Sequence, residues 1–531
     1  MGRLQNLKRL LITVRYLKPI QIRYQFYYRF LYPIFSYLRA DPEYSKAASA
    51  SLTWEGGLTN PKTLIGDREF EFLNQPYSFE NDIDWEISEF GKLWTYNLNY
   101  FDFLHQESLD RAVGLDLIEN YMSWDKHNTG NEPYPTSLRG MNWIKFLTRH
   151  RISNLEIDSF LFKDYIRLSS RLEYHIMGNH LLENGFSLLF AGLYFKDQRF
   201  LKLANQILQD QLQEQFLGDG AHFERSPMYH SILLHRILDC INFLKLNNIT
   251  EGIYRRLCNT ATKMISWLEA MCYTDGSLPM VNDSIHNLSF KPQELLSFAR
   301  SLNIKWDAVN LNESGYRKMI NPPFELFADF GNIGPDYIPG HAHSDTFNFE
   351  IYFEGKPLIV DTGTSTYELG ERRLTERSTI SHNTVLVDEK EQSDMWDNFR
   401  VGRRAKIIHL DESTKRVKGV HNGYSFLNIL HSRQIQQISD GFVIEDQIDG
   451  RKNDNIKAEA FIHFHPSVQS IQIVENYIRL DEKGLQISFL GNISKLSVEP
   501  YSYAMGYNKR SEAKLIRIEF KKHLVTNITK I

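Results

Sequence analysis

The sequence has few of the features that mark specialised classes of protein. Its 531 residues include only three cysteines, Cys240, Cys258 and Cys272, which are odd in number and show no CxxC spacing. A disulfide framework and a thiolate metal site are therefore not expected. No stretch approaches the roughly eighteen apolar residues of a membrane span. A net charge of −4 gives no general attraction to nucleic acid, so we expect a globular protein that meets any polyanion through a local patch.

Acidic residues are absent from the first forty positions, which contain eight Lys or Arg and nine Tyr or Phe. A cleavable signal peptide needs a continuous apolar core, and here the apolar run 10–12 is soon followed by Arg15 and Lys18. We therefore predict an N-terminal arm over residues 1–40, either packed on the body through its aromatic side chains or resting on an anionic membrane. The expected location is the cytoplasm or the inner-membrane surface, with the periplasm as the alternative.

Helical periodicity dominates the chain from about residue 88 to residue 302. Leu201, Leu208, Leu212 and Phe216 form one apolar stripe at this spacing, in a window without proline. The breaks between such windows are short and rich in Gly, Asn and Asp, which is typical of caps and turns. Short connections favour antiparallel neighbours, so a bundle or a ring of helical hairpins is expected.

The pattern changes near Pro322. Apolar and polar residues alternate from Phe347 to Phe353, and a turn at Gly355 predicts a hairpin with one buried face. Further short strand-like runs follow without helices between them, which favours an antiparallel sandwich. The predicted fold class is therefore α+β, with an arm over 1–40, a helical domain over 41–315 and a β domain over 316–531.

Two histidines lie near this change of pattern, in the Gly-His-Ala-His-Ser-Asp run at residues 340–345. In extended backbone His341 and His343 would point to one face. His343, Asp361 and His382 together make a donor set suited to zinc. On an ideal hairpin, however, His343 lies about 20 Å along the strand from the position opposite Asp361, at roughly 3.3 Å per residue. A metal site therefore requires the preceding loop to fold back, and three ordinary hydrogen-bonding side chains are the alternative.

A second polar group begins a predicted helix in the helical half. His180 and Glu183 are three residues apart and share a face, and Asn179 is well placed as the N-cap. These side chains could bind a substrate or simply cap the helix. Tyr229 begins another helix after a Ser-Pro pair at 226–227, which fits a Ser cap with Pro at the first helical position. An isolated tyrosine is more often a packing residue than a catalytic acid.

Taken together, these motifs closely resemble the heparinase II/III family of polysaccharide lyases. The resemblance rests on the segments 179–183, 224–229, 340–343, 361–363 and 381–385. It covers about residues 90 to 510, and its most specific part is the block 340–387. It implies an incomplete (α/α) toroid followed by a layered antiparallel β-sandwich, which is also the order that the periodicity indicates.

The resemblance implies β-elimination on a polysaccharide that contains uronic acid. The weakly acidic C5 proton is removed and the glycosidic oxygen leaves C4, so the enzyme must neutralise the neighbouring carboxylate. By the resemblance, Asn179 and His180 would neutralise that carboxylate and Tyr229 would protonate the leaving oxygen. Tyr229 could also take the C5 proton in one epimer, and His341 would be the base for the other. A tyrosine base needs nearby positive charge to lower its pKa from about 10, and we expect such charge here.

The resemblance also implies a structural zinc ion held by His343, Asp361 and His382, which would order the loop beside His341. In the alternative, His382 faces the substrate instead. No organic cofactor is expected. An intracellular or membrane-associated lyase of this kind would fit the metabolism of cell-surface polysaccharides.

Three further residues are candidates for binding the sugar chain. Glu183 would help to bind the sugar by the resemblance. Arg139 and Trp143 are interpreted as a cleft wall, with a guanidinium for acidic groups and an aromatic plate for sugar faces. A buried Trp with a surface Arg is the alternative interpretation of this pair.

Two other functions are compatible with the same residues. The fold could hold a sugar chain without cleaving it, as a binding or assembly factor. Alternatively, the histidines and Asp361 could hold a catalytic zinc ion in a hydrolase. Elimination alone creates a conjugated double bond, so new ultraviolet absorbance distinguishes the lyase from both.

Overall fold

The computed structural model describes residues 2–37, 44, 52–450 and 456–531. The arm comprises the α-helices Gly2–Arg15, Pro19–Phe26 and Tyr32–Tyr37, with a π-helical turn at Tyr27–Leu31. The α-helices that follow are Lys92–Tyr100, Arg111–Ser123, Pro133–Arg149, Leu155–Ser170, Gly178–Tyr194, Gln198–Gln215, Pro227–Leu246, Ile253–Met271, Pro292–Ser301 and Glu371–Glu376. Among the described residues, none of these helices is both long and apolar enough to cross a membrane.

The helices of the N-terminal half form an inner and an outer layer. Pro133–Arg149, Gly178–Tyr194 and Pro227–Leu246 contact one another in sequence, and the helix that follows each one packs on its outer side. The inner helices are buried on almost all faces, whereas Gln198–Gln215 buries a single stripe that includes Leu208 and Leu212. A helix that is apolar all round belongs in an interior, and an amphipathic one covers it.

A small sheet precedes these helices and was not expected from the sequence. Its antiparallel strands are Leu64–Gly66, Glu69–Phe72 and Gln75–Ser78. Phe70 and Phe72 point inward, and the ring of Phe72 lies 5.1 Å from that of Trp94 in an edge contact. Strands of three or four residues are too short to give a reliable periodic signal.

The C-terminal half consists of antiparallel sheets that share one core. The four-stranded sheet is Tyr316–Asn321, Phe324–Asp329, Phe349–Phe353 and Lys356–Ile359. The strands of the ten-stranded sheet are Val385–Val387, Ile407–Ser413, Arg416–His421, Leu430–Ile438, Gly441–Asp449, Ala458–His463, Gln472–Val474, Tyr477–Leu480, Leu485–Gly506 and Lys509–Lys530. A short pair, Met395–Trp396 and Arg400–Val401, lies apart. The predicted order of a helical toroid followed by an antiparallel β-sandwich is confirmed.

The four-stranded sheet lies against the helical half. The predicted hairpin forms, since Phe349–Phe353 pairs with Lys356–Ile359, but Phe349–Phe353 is buried on both faces, so the prediction of one buried face is wrong. Phe349 and Ile351 belong to the core of the sandwich, whereas Tyr352 stacks on Tyr273 of the helical half with ring centroids 3.7 Å apart. The helical domain therefore covers the face that a free-standing sandwich would expose to water.

Candidate active site

The segment 281–285 links the two halves of the protein beside the predicted site. The hydroxyl of Ser226 donates to the carbonyl oxygen of Asp283 at 2.9 Å, and the Asp283 N–H donates to the carbonyl oxygen of His341 at 3.0 Å. The N–H of His343 donates to the side-chain oxygen of Asn282 at 3.1 Å. These contacts bring Tyr229 and His341 together, although the two residues come from different domains.

Asp283 is the buried centre of the histidine loop. Its carboxylate lies 2.9 Å from Nδ1 of His341 and 3.0 Å from Nε2 of His343, and it accepts hydrogen bonds of 2.5 and 2.7 Å from Arg373. Although burial opposes ionisation, Arg373 holds the pKa of Asp283 well below its usual range. An ionised Asp283 accepts Nδ1–H of His341, which leaves Nε2 as the reactive nitrogen.

Nε2 of His341 lies among groups of the helical half. It is 3.4 Å from the amide nitrogen of Asn179 and 3.3 Å from a carboxylate oxygen of Glu224. The imidazole also stacks on the phenol ring of Tyr229, with centroids 3.9 Å apart and an interplanar angle of 29°. An imidazole, a phenol and an amide from two domains therefore share one small surface.

The side chain of Asn179 can lie beside His341 because a different residue, Glu224, satisfies the start of its helix. The helix begins at Gly178 with Met177 at the N-cap position, so the prediction of Asn179 as the N-cap is wrong. The buried carboxylate of Glu224 instead accepts the backbone N–H of Asn179 at 3.0 Å, where the helix dipole favours negative charge. The side-chain amide of Asn179 lies between the second oxygen of this carboxylate and Nε2 of His341, at 3.4 Å from each.

His180 lies at the edge of this cluster beside the carboxylate of Glu173. Its Nδ1 lies 2.9 Å from a carboxylate oxygen of Glu173, its ring lies 4.4 Å from that of Tyr134, and its side chain is 31% exposed. Although burial opposes the charge, Glu173 raises the pKa of His180 above its ordinary value. The imidazolium form is thus favoured at a position that solvent can reach.

Tyr229 lies at the start of its helix as the sequence predicts. Ser226 caps the helix by accepting the Tyr229 N–H at 3.2 Å, and Pro227 takes the first helical position. The Tyr229 hydroxyl lies 3.4 Å from that of Tyr367. Burial raises the pKa of Tyr229, so the expected lowering by nearby positive charge is wrong. At neutral pH Tyr229 is a phenol, which can donate a proton but is poorly suited to accept one.

Arg139 and Trp143 do not line a cleft. Both side chains are fully buried in the inner helix Pro133–Arg149. Arg139 donates to Asp164 at 2.6 Å, and Trp143 packs edge-on against Tyr121 with centroids 5.8 Å apart. The predicted cleft wall is therefore wrong, because both side chains lie in the interior of the helical half.

Glu183 is also enclosed. It has no exposed surface, and one carboxylate oxygen lies 3.3 Å from Nε of Arg236 on the neighbouring inner helix. Burial raises the pKa of Glu183. The prediction that Glu183 contacts the sugar is therefore wrong. A spacing of three residues places His180 and Glu183 on one side of the helix, but Glu183 lies deeper in the interior.

The three predicted metal ligands lie close together because the loop before Phe349 does fold back. The N–H of Asn348 donates to the carbonyl of Asp345 at 2.8 Å, and the rings of His343 and His382 lie 5.3 Å apart. Nδ1 of His382 is 2.7 Å from a carboxylate oxygen of Asp361, which also accepts from the Asn348 amide.

The donors at this position fit a zinc ion in their chemistry. Nδ1 of His343 and Nε2 of His382 are buried without a hydrogen-bond partner. Burial lowers the pKa of His343 to about 4, so it is neutral as a metal ligand must be. Although burial opposes the charge on His382, Asp361 raises the pKa of that imidazole. Within the described ranges, however, no three His, Cys, Asp or Glu side chains converge closely enough to hold an ion.

Several residues at the site were not assigned a role from the sequence, among them Glu173 and Arg373 described above. Asp283 and Glu224 are carboxylates whose partners are distant in the chain, and only the place of Glu224 within the segment 224–229 could have indicated it. Tyr367 and Phe399 border His341, with centroids 6.5 and 6.1 Å from its ring. Phe399 is 41% exposed, and an exposed aromatic ring suits the apolar face of a sugar.

Comparison with known proteins gives matches along nearly the whole chain. Residues 27–303 match the family described as heparinase II/III N-terminus, and residues 303–529 match the family described as heparinase II/III-like, C-terminal. A heparin-sulfate lyase of Bacteroides stercoris is 24% identical over 313 residues, which cover 53% of this chain but only 45% of the relative. A heparin-sulfate lyase of Bacteroides thetaiotaomicron is 22% identical over 497 residues, 79% of this chain and 68% of the relative.

A solved structure shows the same fold. The crystal structure of heparinase III superimposes with a TM-score of 0.66 and 17% identity, over 86% of this chain and 81% of that chain. The helical and β halves described above therefore occur together, in the same order, in a relative of similar length.

Proposed function

Because the chain belongs to the heparinase II/III family, we propose that it is a polysaccharide lyase that cleaves a uronic-acid polymer by β-elimination. The observation that carries this proposal is the stack of Tyr229 on His341 with the Asn179 amide 3.4 Å from the imidazole. A proton donor, a proton acceptor and a group that binds oxygen thus lie together. The relatives named heparin-sulfate lyases support an acidic polysaccharide as the substrate class.

The first requirement of the reaction is to make the C5 proton removable. The imidazolium of His180 and the amide of Asn179 would bind the uronate carboxylate and offset its charge. Negative charge that develops on the carboxylate oxygens during proton removal is then stabilised, which is where electrostatic catalysis acts. The raised pKa of His180 supports this role, because it favours the charged imidazolium.

His341 and Tyr229 would then divide the proton transfers. Nε2 of His341 takes the C5 proton, and the C–H electron pair forms the C4–C5 double bond as the C4–O bond breaks. The Tyr229 hydroxyl gives its proton to the departing glycosidic oxygen. The raised pKa of Tyr229 favours this role as a proton donor. It disfavours the alternative role, in which Tyr229 removes the C5 proton of one uronate epimer. Glu224, 3.3 Å from Nε2, would stabilise the imidazolium that forms.

A zinc ion is proposed at the neighbouring histidines. His343 and His382 would hold it through their unpartnered buried nitrogens, and the carboxylate of Asp361, which lies 2.7 Å from Nδ1 of His382, would orient that ring. The bound ion would supply a fixed positive charge that orders the loop carrying His341. The proton transfers themselves are assigned to the side chains of Tyr229 and His341.

The proposal is tested with purified protein and a panel of defined uronate polysaccharides, monitored by ultraviolet absorbance. We expect new absorbance from the conjugated double bond with at least one polymer. Tyr229→Phe should lower kcat by about 10²-fold to 10⁴-fold with little change in binding, since it removes only the proton donor. Tyr254→Phe, in the helix Ile253–Met271, is the matched control and should be unchanged.

Other outcomes identify the alternatives. New reducing ends without absorbance would indicate a hydrolase, and binding without any product would indicate a non-catalytic role. Full activity of Tyr229→Phe would contradict the assignment of Tyr229 while leaving elimination in place.

A further inference from the structure

The outer face of the N-terminal arm is unusually apolar. Among the described residues, nine of the 25 exposed large hydrophobic side chains belong to it: Leu7, Leu10, Leu11, Val14, Ile22, Phe26, Phe30, Leu31 and Ile34. Four of these, at positions 22, 26, 30 and 34, recur every fourth residue and so follow one another along the face. An exposed apolar stripe of this extent marks a contact surface.

The inner face of the arm is already attached to the body. Arg9 makes two hydrogen bonds of 2.6 and 3.0 Å to Asp394 of the β half, and Lys18 pairs with Glu214 of the helical half. The ring of Tyr24 stacks on that of Tyr174 at 4.8 Å. The apolar stripe is therefore the side that remains exposed after the arm has packed. The two predicted roles of the arm, packing and surface contact, belong to opposite faces.

Positive charge accompanies the apolar stripe. Lys8, Arg15, Arg23 and Arg29 are exposed, and within the part of the chain that the structure describes none of them forms an ion pair. The first forty residues contain no Asp or Glu that could neutralise them. The face is thus both apolar and cationic, which is typical of helices that lie in the interface of an anionic bilayer.

A second copy of this chain is a poor occupant for the same face. A symmetric dimer through this face would bring the cations of both copies into one apolar contact, where the arm has no Asp or Glu to neutralise them, and like charges brought together in this way oppose association. Anionic headgroups are complementary to these cations. We propose that the outer face of residues 7–34 binds the surface of an anionic membrane, with Phe26 and Phe30 inserted at the level of the headgroups.

The arm also contacts both sides of the candidate site. The side-chain amide of Gln21 donates to the carbonyl oxygens of Ile176 and Tyr337, at 3.2 and 3.4 Å. Ile176 precedes the helix that carries His180, and Tyr337 precedes His341. A membrane-bound arm would therefore hold the site near the lipid surface, whatever reaction the site performs.

The experiment uses the full chain and sucrose-loaded vesicles, either of phosphatidylcholine alone or of phosphatidylcholine with phosphatidylglycerol. We expect sedimentation with the anionic vesicles only, and release at high salt. Arg23→Gln with Arg29→Gln should weaken binding roughly thirtyfold, since each cation near the surface contributes about 1 kcal/mol and 1.4 kcal/mol is tenfold. Phe26→Ser with Phe30→Ser should weaken it about tenfold or more.

The matched control removes exposed apolar side chains elsewhere. Ile408 and Leu490 are 53% and 59% exposed on the β half, and Ile408→Ser with Leu490→Ser should bind as the parent does. Circular dichroism confirms that each variant is folded. Failure to bind anionic vesicles, or equal binding to neutral ones, would overturn the proposal. So would a concentration-dependent dimer that Phe26→Ser with Phe30→Ser dissociates, since the face would then belong to a second copy.

Discussion

Asp283 is the residue on which the orientation of His341 depends. In Asp283→Asn the amide can present N–H to Nδ1 of His341, which turns the imidazole to the tautomer that lacks a free Nε2 lone pair. We expect kcat to fall by about 10²-fold or more. The variant also leaves Arg373 without its buried partner, so stability should fall by about 3–5 kcal/mol. Steady-state kinetics below the unfolding temperature and urea unfolding measure the two effects separately.

Asp446 provides the matched control for Asp283. It is equally buried in the β half, where it accepts from His431 at 2.8 Å and from Arg433 at 2.8 and 2.9 Å. Asp446→Asn should cost comparable stability and leave kcat of the folded protein unchanged. If both variants lose activity to the same extent, loss of stability explains the result and Asp283 has no specific role.

His180 should make substrate binding dependent on pH. Its pKa is raised against burial by Glu173, with smaller contributions from Glu224 and Glu183. The imidazolium is therefore fully present below the ordinary value of about 6.5 and is lost as the pH rises through the raised one. We expect KM for a uronate polymer to increase as the pH rises through the raised pKa of His180.

Replacing Glu173 tests the cause of this dependence. Glu173→Gln removes the charge that stabilises the imidazolium, so the increase in KM should move to lower pH. Glu251→Gln, which removes an exposed carboxylate paired with Arg255, should leave the profile in place. A KM that is independent of pH in the parent protein would show that His180 does not bind the carboxylate.

At the scale of single elements, the helix Gly178–Tyr194 carries Asn179 and His180, and its start depends on a glycine. Gly178 has φ +57°, and a Cβ there would lie 2.4 Å from a carboxylate oxygen of Glu224. Gly178→Ala should therefore cost about 1 kcal/mol of backbone strain and about 1–3 kcal/mol more for the overlap. It should also lower kcat, because Glu224 and Asn179 are displaced together. Urea unfolding and kinetics measure both.

Gly252→Ala separates the cost of backbone strain from the cost of overlap with a neighbouring side chain. Gly252 precedes the helix Ile253–Met271 with φ +60°, and a Cβ there would meet nothing within 4 Å. Gly252→Ala should cost only about 1 kcal/mol and leave kcat unchanged. If Gly178→Ala and Gly252→Ala have equal effects on stability and on kcat, Glu224 moves aside in Gly178→Ala without affecting the site.

The order of these elements could be predicted, but only some of their ends could. Apolar periodicity indicated the helices and strands, and the Ser226-Pro227 pair correctly indicated the start of the helix that carries Tyr229. Asn179 was misplaced as an N-cap because the true partner of that helix end, Glu224, is 45 positions away in the chain. Capping rules consider neighbours in sequence, whereas a buried carboxylate can satisfy a helix end from anywhere in the fold.

At the scale of the whole molecule, the proposed zinc ion should strengthen the attachment of the two halves, because His343 also contacts Asp283 of the helical half. A metal that binds only the native state stabilises it by about 2.7 kcal/mol at a hundred times its dissociation constant. We expect purified protein to contain zinc by mass spectrometry. Dialysis against a chelator should lower its unfolding temperature in scanning calorimetry.

His382→Ala should remove this response to the chelator. His431→Ala changes a buried histidine that contacts Asp446 in the β half and should retain the response. Protein without zinc, or a chelator response that persists in His382→Ala, would contradict the assignment of this site.

Sequence alone determined the order of a helical and an antiparallel β half, because periodicity is a local property of a chain. Through the family resemblance it also predicted Asn179, His180, Tyr229 and His341 as site residues. Only the tertiary structure decided which polar residues lose contact with water. It placed Arg139, Trp143 and Glu183 in the interior, and burial there raised the pKa of Tyr229. It also placed Asp283 under His341. Burial and charge at a site depend on side chains brought together from distant parts of the chain, which no local pattern records.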